Sequence, residues 1–295
     1  MILASYLSLF LFGIVDNLRG PFYSSILNEF NLSETEGAAV FAFASIFASL
    51  SSWTGGFLLA RWGVARLLNY SSLTLAGGYA AMAVSPNFSF LIAAAALFGV
   101  GLGWSTLAQN LAVSSYAKPG KKTSLLSGLH SMYGLASAVA PWLAYYFLLE
   151  SWSWRKSFLV VALLPALLGV VTYLTLPESR RRRDLSNSTP AVRLRGGVRH
   201  HALLFAAFMA CYLLAEISIG TRLVRWLEVV HGIPTHEACL YLTGFFVCLF
   251  ASRVACWWVA PEQMKSLRHF IVTSVVFGGL FLLLTLLWQP WAILL

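Results

Sequence analysis

The feature that most constrains this chain is a stretch length. Apolar windows of about twenty residues recur along it, the helical length needed to cross a hydrocarbon core about 30 Å thick. Turn-forming segments separate them: "NEFNLSETE", "RWGVAR", "SPN", "YAKPGKK", "ESWSWRK", "HGIPTHE" and "APEQMKS". The windows predict nine helices, at 2–27, 37–60, 67–85, 88–113, 123–148, 156–176, 201–228, 237–259 and 269–288. With 59% apolar and 11% charged residues, the balance lies far from that of a soluble domain. The fold class expected is an all-α, multi-pass bundle whose first partner is the lipid bilayer.

A net charge of +9 would suggest nucleic acid in a soluble protein, but here the cations fall in short connections between apolar segments. Arg61 and Arg66 follow the second helix, and Lys118, Lys121 and Lys122 follow the fourth. Arg180 to Arg183, with Arg193, Arg195 and Arg199, follow the sixth, and the alternate loops are poor in bases. The positive-inside rule puts Met1 in the cytoplasm of a cell inner or plasma membrane, with Arg155 and Lys156 as the weak exception. A cleaved leader is not expected, because no basic segment precedes residues 1–15 and no small-residue cleavage pattern follows. The chain divides into residues 1–176, a basic cytoplasmic linker at 177–200, and residues 201–295. Cys211, Cys239, Cys248 and Cys256 have no metal-ligand or redox spacing and read as packing thiols. No cofactor or metal motif is present; "HEACL" at His236 lacks the second His of a zinc site, and no constellation suggests an enzyme. Gly99, Gly101 and Gly103 have no βαβ context, so close helix packing is the expected role.

Charged and polar residues inside apolar helices are costly and therefore informative. "GIVDNLRGPFYS" brings Asp16, Asn17 and Arg19 into the first helix, with Asp16 and Arg19 three residues apart. Two readings stay open for Asp16: a titrating group in a pathway, or a clamp on Arg19. The fourth helix carries Gln109 and Asn110, the fifth His130 and Tyr133, the seventh Glu216, Thr221 and Arg222. Gln109 and Asn110 suit hydroxyl binding or interhelical hydrogen bonds equally. Arg253 in the eighth helix needs a partner, with Glu216 the first candidate. Of the tryptophans, Trp104 is the one expected on an internal cavity.

Six helices, a basic linker and further helices, together with "GGFLLARWGVAR", resemble the major facilitator superfamily, whose members have twelve helices in two six-helix halves. The loop motif is matched at Gly56, Arg61, Gly63 and Arg66, with Ala60 where the family has an Asp. "GVGLGWSTLAQN", "GLHSMYGLASAVAP", "YLLAEISIGTRLVRWL" and "DNLRGP" look closest to the fucose-permease-like and sugar-porter branch. The Gly-Pro pair of the superfamily's exchangers is absent from the fifth helix, so antiport is not implied. The resemblance implies a secondary transporter of a small polar solute, such as a sugar, by alternating access with proton coupling. It also implies that helices one, four and seven line the cavity. Nine helices fall three short of twelve, so the chain is expected to be truncated after the ninth, as a fragment or naturally. The alternative function is a non-transporting membrane scaffold or receptor built on the same fold.

Overall fold

The computed structural model describes residues 1–118, 120–175 and 196–263. Within them the chain forms eight α-elements. Their order is α1 (Ile2–Asn17), α2 (Tyr23–Phe30), α3 (Glu34–Ala83), α4 (Phe88–Tyr116), α5 (Lys122–Leu149), α6 (Trp154–Thr175), α7 (Gly196–His231) and α8 (Thr235–Gln263). The expected ninth helix, 269–288, lies outside the described residues, as does most of the linker.

One element differs from the sequence expectation. The first window divides: α1 ends at Asn17, residues 18–22 form turns, and α2 resumes at Tyr23. Pro21 has no N–H and disfavours helical backbone at the residue before it, which accounts for a break that hydropathy does not register. The second and third windows both fall within α3, whose 50 residues are two helices meeting at one non-helical residue. Gly63, at φ 78° and ψ 167°, divides it into two arms. A side chain is strained at that φ, so the loop-motif glycine stands where the chain reverses. Both arms lie along α4. A Cβ on Gly99 or Gly103 would overlap the main-chain oxygens of Ala44 or Ala48 in the first arm, and one on Gly101 would press on Leu75 in the second. The three glycines thus take the close-packing role that their spacing suggests.

Helix starts follow capping chemistry. Ser33 and Glu36 form a capping box on α3, with Ser33 N–H donating to Glu36 Oε2 at 2.8 Å, and Asn87 Oδ1 accepts from Phe90 N–H at 2.9 Å to start α4. Asn31, in the left-handed region at φ 52°, ends α2. Pro141 and Pro165 lie inside α5 and α6, both on buried positions where neighbouring helices protect the freed carbonyls.

Short connections force alternating directions, so Met1, the Gly63 reversal and the start of α7 share one end of the bundle. Glu34, Ser85, Trp152 and Gly232 share the other. The largest core draws on all eight elements, with Tyr79 stacked on Phe158 at 4.3 Å and Phe22 edge-on to the same ring. Large apolar side chains cover the outside: Leu163, Leu167 and Leu174 of α6 and Trp53 and Phe57 of α3 are exposed. Five described helices are long and apolar enough to cross a membrane. Exposed apolar faces of this extent suit lipid and would be a liability in water. Cys239 is buried and Cys211 and Cys248 are exposed.

Candidate functional site

Between the helices lies a cavity of about 1440 Å³ whose wall includes α1, α3, α4, α5, α7 and Phe246 of α8. Asp16 stands in the last turn of α1 and Arg19 in the turn beyond, so the break after Asn17 sets the pair at the wall. Arg19 Nη2 donates to Asp16 Oδ1, and Arg19 Nε donates to the Asp16 main-chain oxygen at 3.2 Å. The other carboxylate oxygen, Oδ2, accepts from Tyr133 O–H of α5 at 3.0 Å. The guanidinium is also sandwiched, its Cζ 5.1 Å from the Phe41 ring centroid and 4.6 Å from that of Phe98. Arg19 is 6% exposed, and its Nη1 is buried without a hydrogen-bond partner among the described residues. Beside it, Asn17 Nδ2 donates to the Gly13 carbonyl at 2.9 Å and to Ser137 Oγ at 3.1 Å, joining α1 to α5.

Other predicted residues divide between this wall and elsewhere. His130, Tyr133, Glu216 and Thr221 line the cavity with Asp16, Asn17 and Arg19. Gln109 does not: it is buried in the α4 to α1 contact, its Nε2 donating to Ser8 Oγ at 2.8 Å, which is the interhelical alternative of its two readings. Asn110 donates to the Thr106 carbonyl at 2.8 Å and also lies off the lining. Trp104 is not among the lining residues; its ring meets Trp62 edge-on at 6.4 Å. The α4 wall is Leu102, Gly103 and Thr106 instead. Arg222 turns away to the Glu34 end, and the Arg253 side chain lies outside the described ones. In the loop motif, Arg61 is exposed, Arg66 half-buried, and Gly56 has open space where a Cβ would stand.

Sequence reasoning missed a set of hydroxyls. Ser45, Ser49 and Ser52 come from the first arm of α3, and Ser124, Ser127 and Ser131 from α5. Each trio is spaced by three and four residues, the periodicity of one helix face, so the signal was there as a polar stripe in an apolar helix. Ser49, Ser52 and Ser131 donate to main-chain carbonyls, which satisfies their protons and leaves oxygen lone pairs toward the space.

At the Glu34 end a second charged cluster joins the segments before and after the linker. Arg222 Nη1 donates to Glu34 Oε2 at 2.7 Å and Arg225 Nε to Glu34 Oε1 at 3.0 Å. Arg222 also lies over the Tyr23 ring, 4.4 Å from its centroid, while Tyr23 O–H donates to the Glu34 main-chain oxygen at 3.0 Å. Glu228 accepts from Ser24 of α2, and from Thr235 of α8 at 3.1 Å. Just beneath, α1's turn meets α7 so closely that a Cβ on Gly20 would overlap the Gly220 carbonyl oxygen. Among the described residues no group of three or more His, Cys, Asp or Glu is placed to hold a metal.

Comparison with known proteins agrees with this architecture. Residues 5–295 match the model of the Major Facilitator Superfamily. The cis,cis-muconate transport protein of Acinetobacter baylyi is 23% identical over 258 residues, covering 83% of this chain and 62% of that protein. The chain therefore spans under two thirds of that relative's length. Among solved structures, a bacterial homologue of the human lysosomal transporter Spinster, inward-facing and occupied, superposes with a TM-score of 0.68 at 16% identity, covering 99% of this chain and 70% of that one. A D-xylose-proton symporter does so with a TM-score of 0.64 at 18% identity, covering 85% and 66%. At these identities the structures establish the fold, and with the family match across nearly the whole sequence, this chain belongs to the Major Facilitator Superfamily.

Proposed function

We propose that the protein is a secondary active transporter that carries a small polar organic solute by alternating access, with proton coupling through the cavity acids. The observation that carries this reading is the Asp16, Arg19 and Tyr133 cluster in the wall of a cavity that α1 and α5 share with α7. An ion pair held in such a wall changes its electrostatic preference when the acid takes a proton, and so can weight one cavity state against the other. The Met1 end, with its excess of bases, faces the cytoplasm. The Glu34 end is the one closed by the Gly20 contact and the ion pairs above it, so this is the state open toward the cytoplasm.

For the solute, the serine stripes suit hydroxyls, and the motifs that resemble the sugar-porter branch support a sugar. The xylose-proton symporter shares the fold, while the muconate transport protein shows that a relative carries a carboxylate. The test is uptake by the full-length protein in proteoliposomes under an imposed proton gradient. Asp16→Asn and Glu216→Gln are expected to lose most gradient-driven accumulation while exchange across the membrane without a gradient continues. Wild-type accumulation in both variants would remove the coupling role. An equilibrium screen in which no solute binds, with a partner protein co-purifying, would favour a membrane scaffold instead.

A further inference from the structure

Arg19 has more hydrogen-bonding capacity than the closed arrangement uses. A guanidinium does not give up its proton at any physiological pH, so its charge must always be answered by an anion or by water. Here Nε and Nη2 both go to Asp16, while Nη1 is buried with no partner among the described residues, and the residue is 6% exposed in a cavity wall. Asp16 divides its two oxygens, Oδ1 toward Arg19 and Oδ2 toward Tyr133. A proton placed on Oδ1 therefore removes the carboxylate charge hydrogen-bonded to Arg19, and leaves the Tyr133 hydrogen bond intact.

We propose that Arg19 is the substrate-recognition group for a carboxylate anion, held in reserve by Asp16 until Asp16 is protonated. The inference rests on the transport reading above and names the chemical class of its substrate. The proton binds Asp16 Oδ1, the bond from Nη2 to that oxygen is given up, and the substrate carboxylate takes its place across Nη2 and Nη1. That planar, two-point fit is what a guanidinium offers a carboxylate and what neutral hydroxyls cannot match. For a monovalent anion the exchange brings in one proton and one negative charge, so the wall keeps its net charge before and after loading. The groups that face the pair from neighbouring elements are Tyr133 and His130 of α5, Glu216 of α7, Tyr79 of α3, and the Phe41 and Phe98 rings of α3 and α4. Of these, Tyr79 O–H is itself buried without a partner among the described residues, a second donor beside the same charge. No cation other than Arg19 lines the described cavity unless His130 is protonated, so an anion seated there has Arg19 as its permanent counter-charge.

Three probes of nearly one shape separate charge from size: benzoate, benzamide and benzylamine. Their binding to the full-length protein in detergent is read from the shift of its unfolding temperature. Benzoate is expected to stabilise the protein, with an affinity that is higher at about pH 5.5 than at about pH 7.5, because one proton is taken up with the anion, and the other two to leave it unchanged. Asp16→Asn, a permanent mimic of the protonated acid, is expected to bind benzoate equally at both pH values. Arg19→Gln should bind none at either pH, with Arg19→Lys restoring part of the affinity. If Arg19→Gln does not fold, the pH profile of Asp16→Asn against wild type decides alone. The proposal is overturned by benzamide or benzylamine stabilising as well as benzoate, by benzoate binding that strengthens as pH rises, by a pH slope kept in Asp16→Asn, or by no benzoate effect in either protein. Benzoate binding with the expected profile but without uptake would overturn the transport reading and leave this one standing. Uptake of a neutral solute with no response to benzoate would do the reverse.

Discussion

Two sets of ion pairs hold the same helices in opposite ways. Asp16 and Arg19 pair within one turn of chain, three residues apart, with side chains 20% and 7% exposed. Glu34 pairs with Arg222 and Arg225 across separations of 188 and 191 residues, and its side chain is 54% exposed. The first pair is mostly buried and local, so it fixes charge inside one half of the bundle. The second is wet and remote, so it adds little stability yet decides which parts of the chain touch. Burial makes an ion pair costly to break, and connectivity makes it consequential.

The largest effect should come from breaking the buried pair on one side. Arg19→Ala leaves the Asp16 carboxylate without its guanidinium in a low-dielectric wall, and the expected loss is about 3–5 kcal/mol of stability. Thermal or denaturant unfolding in detergent reads it. Replacing both residues, Asp16→Asn with Arg19→Gln, should cost clearly less than Arg19→Ala, because no unanswered charge is left behind. A double variant that costs as much as the sum of the single ones would show that the pair does not act as a unit.

A middle effect belongs to Gly20, at the seam between the two pairs. Gly20→Ala places a methyl group against the Gly220 carbonyl, a rigid backbone atom, so α1 and α7 must separate at the Glu34 end. The expected cost is about 1–3 kcal/mol to the closed arrangement, the usual range for overpacking. The same variant should raise labelling of a cysteine placed at Thr221 by a membrane-impermeant reagent added on the Glu34 side. Unchanged labelling with unchanged stability would mean that the close approach is not needed for closure.

How much of this the sequence disclosed follows the same divide between local and remote. The membrane class and the Asp16 to Arg19 pairing rest on apolar composition and on neighbours within one turn, and both were readable. The break after Asn17 was signalled by Gly20 and Pro21 but masked by apolar residues on both sides. Gln109 and His130 show the limit: each is a polar residue in an apolar helix, yet only the rotation of its helix decides that Gln109 meets Ser8 while His130 lines the cavity. The serine stripes were periodic but chemically quiet, since Ser and Thr often hydrogen-bond to their own helix and carry no cost that draws notice. Tyr133 as a partner of Asp16, and both arginines as partners of Glu34, depend on tertiary approach over more than a hundred residues and left no local mark.

The smallest effect on stability and the clearest effect on conformation are expected together, at Glu34. Glu34→Gln removes the charge that Arg222 and Arg225 share while keeping the side chain's shape. Exposed pairs contribute about 0–1 kcal/mol, so unfolding should hardly change. Closure of this end is a different quantity under the proposed alternating access, because conformations of one protein commonly differ by a few kcal/mol, and a shift of about 1.4 kcal/mol changes their ratio about tenfold. Cysteine labelling at Thr221 from the Glu34 side should therefore rise in Glu34→Gln. It should also rise in wild type as salt is increased, since screening acts on exposed charges within a Debye length of about 8 Å. In Glu34→Gln the salt effect should largely vanish, because the screened pair is already gone. A salt dependence that survives the substitution would move the closing interaction to Glu228 and its contacts with Ser24 and Thr235, the other link between the same elements.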